Sequence, residues 1–222
     1  MKRICLLLAL IIIMAALGAC SSNTQNADRL TPTSPNVTLI SETGYPIYGA
    51  TPSVDWLKEN SEIIIKCTFN DDTVYSYYDN IWDSGTVDRI WYAVSTITIT
   101  EVIEGNVSVG DILQIAEPYS YEDRGDGTYN LHYQQMYLPS ITHDEYLFFL
   151  GKIPDDYKWC AGLYTPVMGV FGRYPIISTK SQTRSLKTMS ESNLDMIYDP
   201  YAHGSVELYK EMYAEVYSEY LS

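Results

Sequence analysis

Residues 95–115 read STITITEVIEGNVSVGDILQI, and this stretch decides the fold. Its first half alternates strictly, with Ile97 and Ile99 on one face of a strand and threonines on the other. The second half is another apolar run. The loop between the two halves contains Gly105 and Gly110, which suit backbone with positive φ. The pattern therefore predicts two antiparallel strands joined by a turn.

Two acids, Glu104 and Asp111, flank this loop. A glycosidase needs two carboxyl groups held at a fixed separation across a sugar, inside a cleft. Acids that flank an exposed turn lie outside any such cleft, and Asp is a common residue at a turn or at the start of a strand. We therefore interpret the loop as a turn and not as a catalytic site.

Residues 52–222 as a whole are predicted to form a single, mainly β domain. Ser53 is the expected N-cap of a short helix, and apolar residues recur at helical spacing over about 203–221. The predicted strands lie at 62–69, 90–104, 111–116, 128–136 and 145–150, with two short ones near 161–170 and 171–177. Strands of uneven length, one of them long, with a helix at the edge indicate a small closed or nearly closed β-barrel.

Aromatic residues gather around the segment 70–88, which predicts a long loop or an irregular hairpin. The chain has 21 tyrosines and only 4 phenylalanines, so most of its aromatic rings carry a polar hydroxyl. An exposed platform of such rings can stack on sugars or peptides, whereas tyrosines in a half-buried barrel only reach water with their hydroxyls. The candidate ligand-binding aromatics are Tyr75, Tyr77, Tyr78, Trp82, Trp91 and Tyr92.

The N-terminus predicts export. A basic start is followed by an apolar run over 4–17, which is too short for an ordinary membrane-spanning helix. The run closes with LGAC, which resembles the lipobox of bacterial lipoproteins. The resemblance implies removal of residues 1–19 as a signal peptide and lipidation of Cys20. The polar segment 20–51 is then expected to be a flexible tether.

The charge of the mature chain excludes some partners. Removing residues 1–19 takes away Lys2 and Arg3 and no acid, so the net charge changes from −14 to −16. An acidic chain does not fit nucleic acid or charge-driven adhesion to anionic lipid. We expect the lipid anchor to hold the protein on the outer face of the bacterial cell membrane. In a cell with two membranes, Ser21 after Cys20 favours the outer membrane.

The two remaining cysteines, Cys67 and Cys160, leave two readings open. An exported protein can form a disulfide between them. Each also lies in an apolar, strand-like context, where a buried free thiol is ordinary.

Metal and catalytic motifs are weak in this sequence. The three histidines, His132, His143 and His203, show no ligand spacing, and the acid–glycine loops at 79–88 and 123–130 do not match an EF-hand. We therefore expect no cofactor, no metal and no recognisable catalytic residues.

Four segments in order resemble a known family: EIIIKCTF, ITEVIEGNVSVGDILQI, HDEYLFFLG and a glycine-spaced strand pair from Gly162 to Gly172. They resemble a family of uncharacterised exported proteins and lipoproteins of Gram-positive bacteria. They are also similar to the OB-fold barrel of netrin-like modules, the type found in tissue inhibitors of metalloproteinases. The resemblance covers about residues 60–177 and implies a small OB-like Greek-key β-barrel.

The departures from these families also matter. Glu104 and Asp144 stand where the lipoprotein family usually has Lys and Gly. The cysteine pair by which the inhibitors reach a metal is missing, so metalloprotease inhibition is not implied.

The sequence thus favours a membrane-anchored, non-enzymatic binding or scaffold module that contacts an envelope or extracellular protein or a glycan. The alternative is a cell-envelope hydrolase or modifying enzyme. A convergence of His132 or His143 with acids in a buried cleft would favour that alternative.

Overall fold

The computed structural model describes residues 30–42, 52–140, 144–177, 190–197 and 206–221. Within them ten strands form: β1 (Val37–Glu42), β2 (Ile63–Phe69), β3 (Val74–Ile81), β4 (Val87–Glu104), β5 (Ile112–Glu117), β6 (Tyr119–Asp123), β7 (Tyr129–Gln134), β8 (Tyr146–Lys152), β9 (Tyr164–Pro166) and β10 (Arg173–Pro175). Helix α1 is Val54–Asn60 and helix α2 is Val206–Val216, which continues as a π-helical turn over Tyr217–Leu221. Short 3₁₀ helices lie at Gly169–Gly172 and Glu191–Leu194.

Five strands close into a barrel in the order β8, β2, β4, β5, β9, with β9 pairing back to β8. The β5–β9 pair is parallel and the other barrel pairs are antiparallel. If the five barrel strands are numbered 1 to 5 along the chain, their order around the barrel, starting from β2, is 1, 2, 3, 5, 4. This confirms the predicted small OB-like Greek-key barrel with a short N-terminal helix and a C-terminal amphipathic helix.

The long strand β4 organises the barrel sheet and its hairpin extension. One edge of β4 pairs first with β3 and then with β2, and the opposite edge pairs with β5. Ile97 and Ile99 point into the barrel, as the alternation predicts. The turn after β4 is also as predicted: Gly105 has a φ of 113° and Gly110 a φ of 89°. The Asp111 carboxylate accepts a hydrogen bond of 2.8 Å from the Ser108 amide, so this acid stabilises the turn.

Strands β2 and β8 are covered on both faces, which explains their uninterrupted apolar sequences. The inward residues form the barrel core: Ile63, Ile65, Cys67, Ile97, Ile99, Ile115, Tyr146, Phe148 and Leu150. On the outer side, Phe149 of β8 packs against the C-terminal segment, with its ring centroid 5.7 Å from that of Tyr220. Helix α1 begins as predicted, since the Ser53 hydroxyl accepts a hydrogen bond from the Trp56 amide.

A second sheet of three strands, in the order β1, β7, β6, lies outside the barrel strands. Strand β1 falls inside the segment predicted as tether, and it pairs in parallel with β7 from Val37 opposite Tyr129 to Glu42 opposite Gln134. The compact unit accordingly runs from residue 31 and not from residue 52. The tether prediction is wrong for Val37–Glu42 because a strand at a sheet edge needs little apolar sequence when its backbone is paired.

The structure corrects the possible disulfide between Cys67 and Cys160, because both thiols are free. Cys67 is enclosed in the barrel core, opposite Ile99 and Tyr146 on the neighbouring strands. Cys160 lies in the loop between β8 and β9 and is half-buried. Burial raises the pKa of the Cys160 thiol to about 11.

Cys20 and the predicted signal peptide lie outside the described residues. Across the residues that are described, no helix combines the length and the apolar character needed to cross a membrane.

Candidate functional site

The hairpin of β3 and β4 divides the six candidate aromatic residues between its two faces. Tyr75 and Tyr77 share one face with Trp91, because Tyr77 pairs directly with Trp91 across the hairpin. Tyr78 and Tyr92 occupy the opposite face, since successive residues of a strand point to opposite sides. The sixth residue, Trp82, lies at the tip of the hairpin. The structure therefore brings together only half of the predicted platform.

A cleft opens between the inner face of this hairpin and β6. Strand β5 pairs with β4 as far as Glu117 opposite Ala93; after Pro118 the chain enters β6, which pairs with β7 instead. The chain thereby leaves β4 and forms a separate wall. The cleft has a volume of about 310 Å³, at the lower end of the range for small-ligand sites. It is lined by Tyr75, Ser76, Tyr77, Arg89, Trp91, Ser120, Tyr121, Glu122 and Asp123.

Aromatic rings form the floor and one corner of the cleft. Tyr75 lies 5.1 Å from Tyr121 between ring centroids, with the rings at 72°. Tyr77 lies 5.2 Å from Trp91 at 57°. Tyr75 is 41% and Tyr77 49% exposed, whereas Trp91 is only 8% exposed. The two tyrosines therefore offer accessible ring surface, and the buried tryptophan packs against Tyr77.

Arg89 of β4 extends this aromatic surface. Its Nε and Nη2 donate hydrogen bonds of 2.6 and 2.8 Å to the two carboxylate oxygens of Asp79, which fix the guanidinium plane. The guanidinium carbon lies 4.0 Å from the Tyr77 ring centroid and 5.5 Å from that of Trp91. The hydrogen bonds from Arg89 hold the pKa of Asp79 below its usual range. The pair thus presents a flat, charged surface beside the tyrosines.

His132 of β7 lies beneath the cleft and joins three elements. Its ring stacks on Trp91 at 3.9 Å between centroids and 10° between planes. Nδ1 lies 2.6 Å from Glu42 Oε1, and Nε2 lies 3.1 Å from Glu122 Oε2. Both ring nitrogens are therefore engaged by carboxyl groups from two different strands.

Glu122 links this arrangement to the cleft wall. Besides its bond with His132, it accepts a hydrogen bond of 2.6 Å from the Asn130 amide. The Asn130 bond, followed by the His132 bond, holds the pKa of Glu122 below its usual range. The cleft therefore has an ionised carboxylate on the wall opposite Arg89.

His132 therefore converges with two acids, which is the arrangement that would favour an enzyme. Its neighbour across the strands is Ser120, whose buried hydroxyl has no hydrogen-bond partner among the residues that the structure describes. However, both ring nitrogens of His132 are bonded to carboxylates, and the side chain is only 8% exposed. No bond activates the Ser120 hydroxyl, so the arrangement is not an assembled Ser–His–acid site.

The other sequence candidates are structural or lie outside the described residues. His143 and His203 belong to the undescribed part of the chain. The loop at 79–88 is the tip of the β3–β4 hairpin, where the Trp82 amide bonds to Thr86 O. The loop at 123–130 is a turn in which Asp126 accepts hydrogen bonds from Thr128. In the described ranges, no three His, Cys, Asp or Glu residues are grouped so as to hold a metal ion.

Several cleft residues were not identified from the sequence: Arg89, Tyr121 and Glu122. The stretch YSYED at 119–123 alternates aromatic and polar residues, which was a usable signal for a strand with one aromatic face. Its nearness to the hairpin depends on the course of the chain after Pro118, which no local pattern shows.

Comparisons with protein-family models, with curated proteins and with solved structures found no match for this chain.

Proposed function

We propose that this protein is a lipid-anchored, extracytoplasmic binding module that holds a saccharide segment of the cell envelope in the cleft between the β3–β4 hairpin and β6. The observation that supports this most directly is the pair of half-exposed tyrosines, Tyr75 and Tyr77, beside charged groups in a concave site. The proposal concerns binding, and no chemical step is required of the site.

The geometry suits a sugar for two reasons. The exposed ring surface of Tyr75, and the part of the Tyr77 ring that Arg89 leaves uncovered, can pack against the apolar face of a pyranose, which buries surface without requiring a fixed hydrogen-bond pattern. Planar charged groups on both sides of the cleft can bond to sugar hydroxyls: the guanidinium of Arg89 on the hairpin and the carboxylates of Glu122 and Asp123 on β6. The volume accommodates about one sugar ring.

Anchoring is the second part of the proposal. Lipid attached to Cys20 would hold the module at the outer face of the bacterial cell membrane, or at the outer membrane of a two-membrane cell. The resemblance of LGAC to a lipobox supports this, together with the short apolar run before it. Strand β1 begins at Val37, so residues 21–36 remain as the connection between Cys20 and the first strand. The acidic charge does not fit nucleic acid as a partner.

The test compares neighbouring tyrosines on opposite faces of β3. Full-length protein in detergent micelles is titrated with soluble envelope oligosaccharides, and heat of binding is measured. Tyr77→Ala removes accessible ring surface from the cleft, so we expect at least tenfold weaker binding. Tyr78→Ala is the matched control and should leave affinity unchanged. Equal affinity in wild type and both variants would contradict the cleft assignment.

A cell-envelope hydrolase is the second candidate, because His132 converges with Glu42 and Glu122 beside the cleft. It is the weaker candidate because both ring nitrogens are already bonded. Incubating wild type and His132→Gln with the oligosaccharides and counting new reducing ends tests it. Release by wild type that is lost in the variant would support an enzyme; substrates recovered intact would contradict it.

A further inference from the structure

We infer that the cleft selects a saccharide bearing a free ammonium group, an amino sugar without its acetyl cap, over neutral and acidic saccharides. This rests on the proposed function, since it names the ligand class of the same cleft. Three features of the site support it: the balance of its charges, the behaviour of its aromatic rings, and the placement of its carboxylates.

The first feature is the charge balance. The single arginine that lines the cleft, Arg89, is bonded through two nitrogens to Asp79, so this pair is close to neutral. The ring nitrogens of His132 are likewise bonded to Glu42 and Glu122, so this histidine is already engaged by two acids. Asp123 adds a further carboxylate on the same wall. Acids therefore outnumber bases around the cleft, in a chain whose net charge is −14.

Another base, Arg124, lies close to this wall and must be included. It interacts electrostatically with Glu122 and also with Asp126. Its charge is thus divided between two acids at the end of β6, and the wall stays negative. An acidic sugar would meet this wall with like charge, whereas an ammonium group would meet opposite charge.

The aromatic rings already bind a cation within the chain. The guanidinium of Arg89 lies over the face of Tyr77 at 4.0 Å, the geometry of a cation–π contact. Tyr75 and Tyr121 form an aromatic corner in the same cleft, with ring centroids 5.1 Å apart and planes at 72°. This corner lies where the hairpin meets β6, and Glu122 lines the same cleft.

The placement of the carboxylates completes the site. Glu122 and Asp123 line the same cleft as Tyr121. The pKa of Glu122 is held below its usual range, so its carboxylate is ionised near neutral pH. An ammonium group between the Tyr75–Tyr121 corner and the Glu122 and Asp123 carboxylates would make cation–π contacts and charge-assisted hydrogen bonds together. An acetyl cap removes the positive charge and with it the cation–π contact, and it leaves one neutral amide N–H in place of the three ammonium donors.

The experiment compares three trisaccharides of equal length at about pH 6, where sugar amines are protonated: the glucosamine trimer, the N-acetylglucosamine trimer and the galacturonic acid trimer. Full-length protein in detergent micelles is titrated with each. We expect the glucosamine trimer to bind about tenfold tighter than its acetylated form and the acidic trimer to bind weakest. The preference should shrink at high salt.

Two variants assign the preference to the β6 wall. Glu122→Gln and Asp123→Asn should each reduce it, and Asp123→Asn leaves the His132 bonds intact. Glu101→Gln, which removes an exposed carboxylate paired with Lys66 on the barrel, is the control and should keep the preference. Folding of each variant is checked by its thermal unfolding midpoint.

The outcomes separate this inference from the proposed function. Equal binding of the glucosamine and acetylated trimers, with loss in Tyr77→Ala, overturns the ammonium preference and leaves the saccharide cleft standing. A preference that survives both β6 variants also overturns the assignment. Absence of binding by all three trimers overturns the ammonium inference and, with it, the saccharide cleft.

Discussion

Arg173 of β10 shows how much one buried side chain holds together. It is completely buried, and its guanidinium donates hydrogen bonds to Leu138 O at 2.6 Å and to Asp195 O at 2.5 Å. It also lies 3.9 Å from the Tyr137 ring and 4.0 Å from a Glu117 oxygen. Arg173 therefore links the segment before β8 and the segment after β10 to the barrel sheet.

Arg173→Met is expected to lower the free energy of unfolding by about 3–5 kcal/mol, because it removes the buried charge beside Glu117 and two hydrogen bonds to buried carbonyls. Urea unfolding followed by circular dichroism measures this. Arg89→Met is the control: it also breaks an arginine–carboxylate pair, but that pair is exposed and water screens it. A similar loss in both variants would show that burial is not the cause.

Glu117 and Glu122 should respond to pH with opposite signs. Burial raises the pKa of Glu117, against the opposing effect of Arg173, so its protonated form is favoured in the folded state. Its contribution to stability is therefore present at low pH and is lost as pH rises above the ordinary glutamate value. The lowered pKa of Glu122 has the reverse effect, and its contribution is lost as pH falls.

Unfolding free energies of Glu117→Gln and Glu122→Gln, measured between about pH 4 and pH 7, check these signs. Glu117→Gln should gain stability relative to wild type as pH rises, because glutamine stays neutral. Glu122→Gln should lose stability relative to wild type over the same interval. Parallel curves for the two variants would contradict the assignment.

At the scale of elements, the turn between β4 and β5 uses its two glycines differently. A Cβ added at Gly105 would lie 2.4 Å from Ile63 Cγ2 and 2.9 Å from Glu62 O. A Cβ added at Gly110 would meet no atom within 4 Å, although both residues have positive φ. The first glycine therefore permits contact with β2, whereas the second only permits the turn.

Gly110→Ala should lower the unfolding free energy by about 1 kcal/mol through backbone strain alone. Gly105→Ala should lower it by about 3 kcal/mol or more, because a collision with the backbone and side chain of 62–63 is added to the strain. Thermal and urea unfolding of the two variants measure the difference. Equal losses would mean that the approach of β2 does not limit this position.

At the scale of the whole molecule, the acidic charge and the lipobox-like N-terminus predict attachment through lipid and not through charge. Wild type should remain in the membrane fraction after a high-salt wash, since salt weakens charge-driven binding but not lipid insertion. Cys20→Ser should lose incorporation of labelled fatty acid. A salt wash that releases wild type would contradict the anchor.

Much of the barrel could be predicted from the sequence because its signals are local. Alternation around Ile97 and Ile99 predicted β4, positive-φ glycines predicted the turn, and Ser53 predicted the start of α1. Strand β1 was not predicted because its own sequence shows no strong period. It forms through backbone pairing with β7. The disulfide hypothesis was wrong because a barrel strand encloses Cys67.

The candidate cleft shows the limit of local pattern. Tyr75 and Tyr77 were identified from composition, but Arg89 and Glu122 were not, because their meeting depends on two strands far apart in the chain. Tyr78 and Tyr92 were grouped with them, although the period of a strand places them on the opposite face.

The sequence by itself determined the mainly β barrel and its turns, because alternation and positive-φ glycines constrain each segment before any long-range contact forms. It also carries the lipobox-like segment. Only the tertiary structure decided which aromatic rings face one another, which histidine meets two acids, and where a cleft opens. These features depend on the strand pairing around Pro118: the segment before it pairs with β4, and the segment after it pairs with β7. The packing of the whole chain settles which strand each segment pairs with.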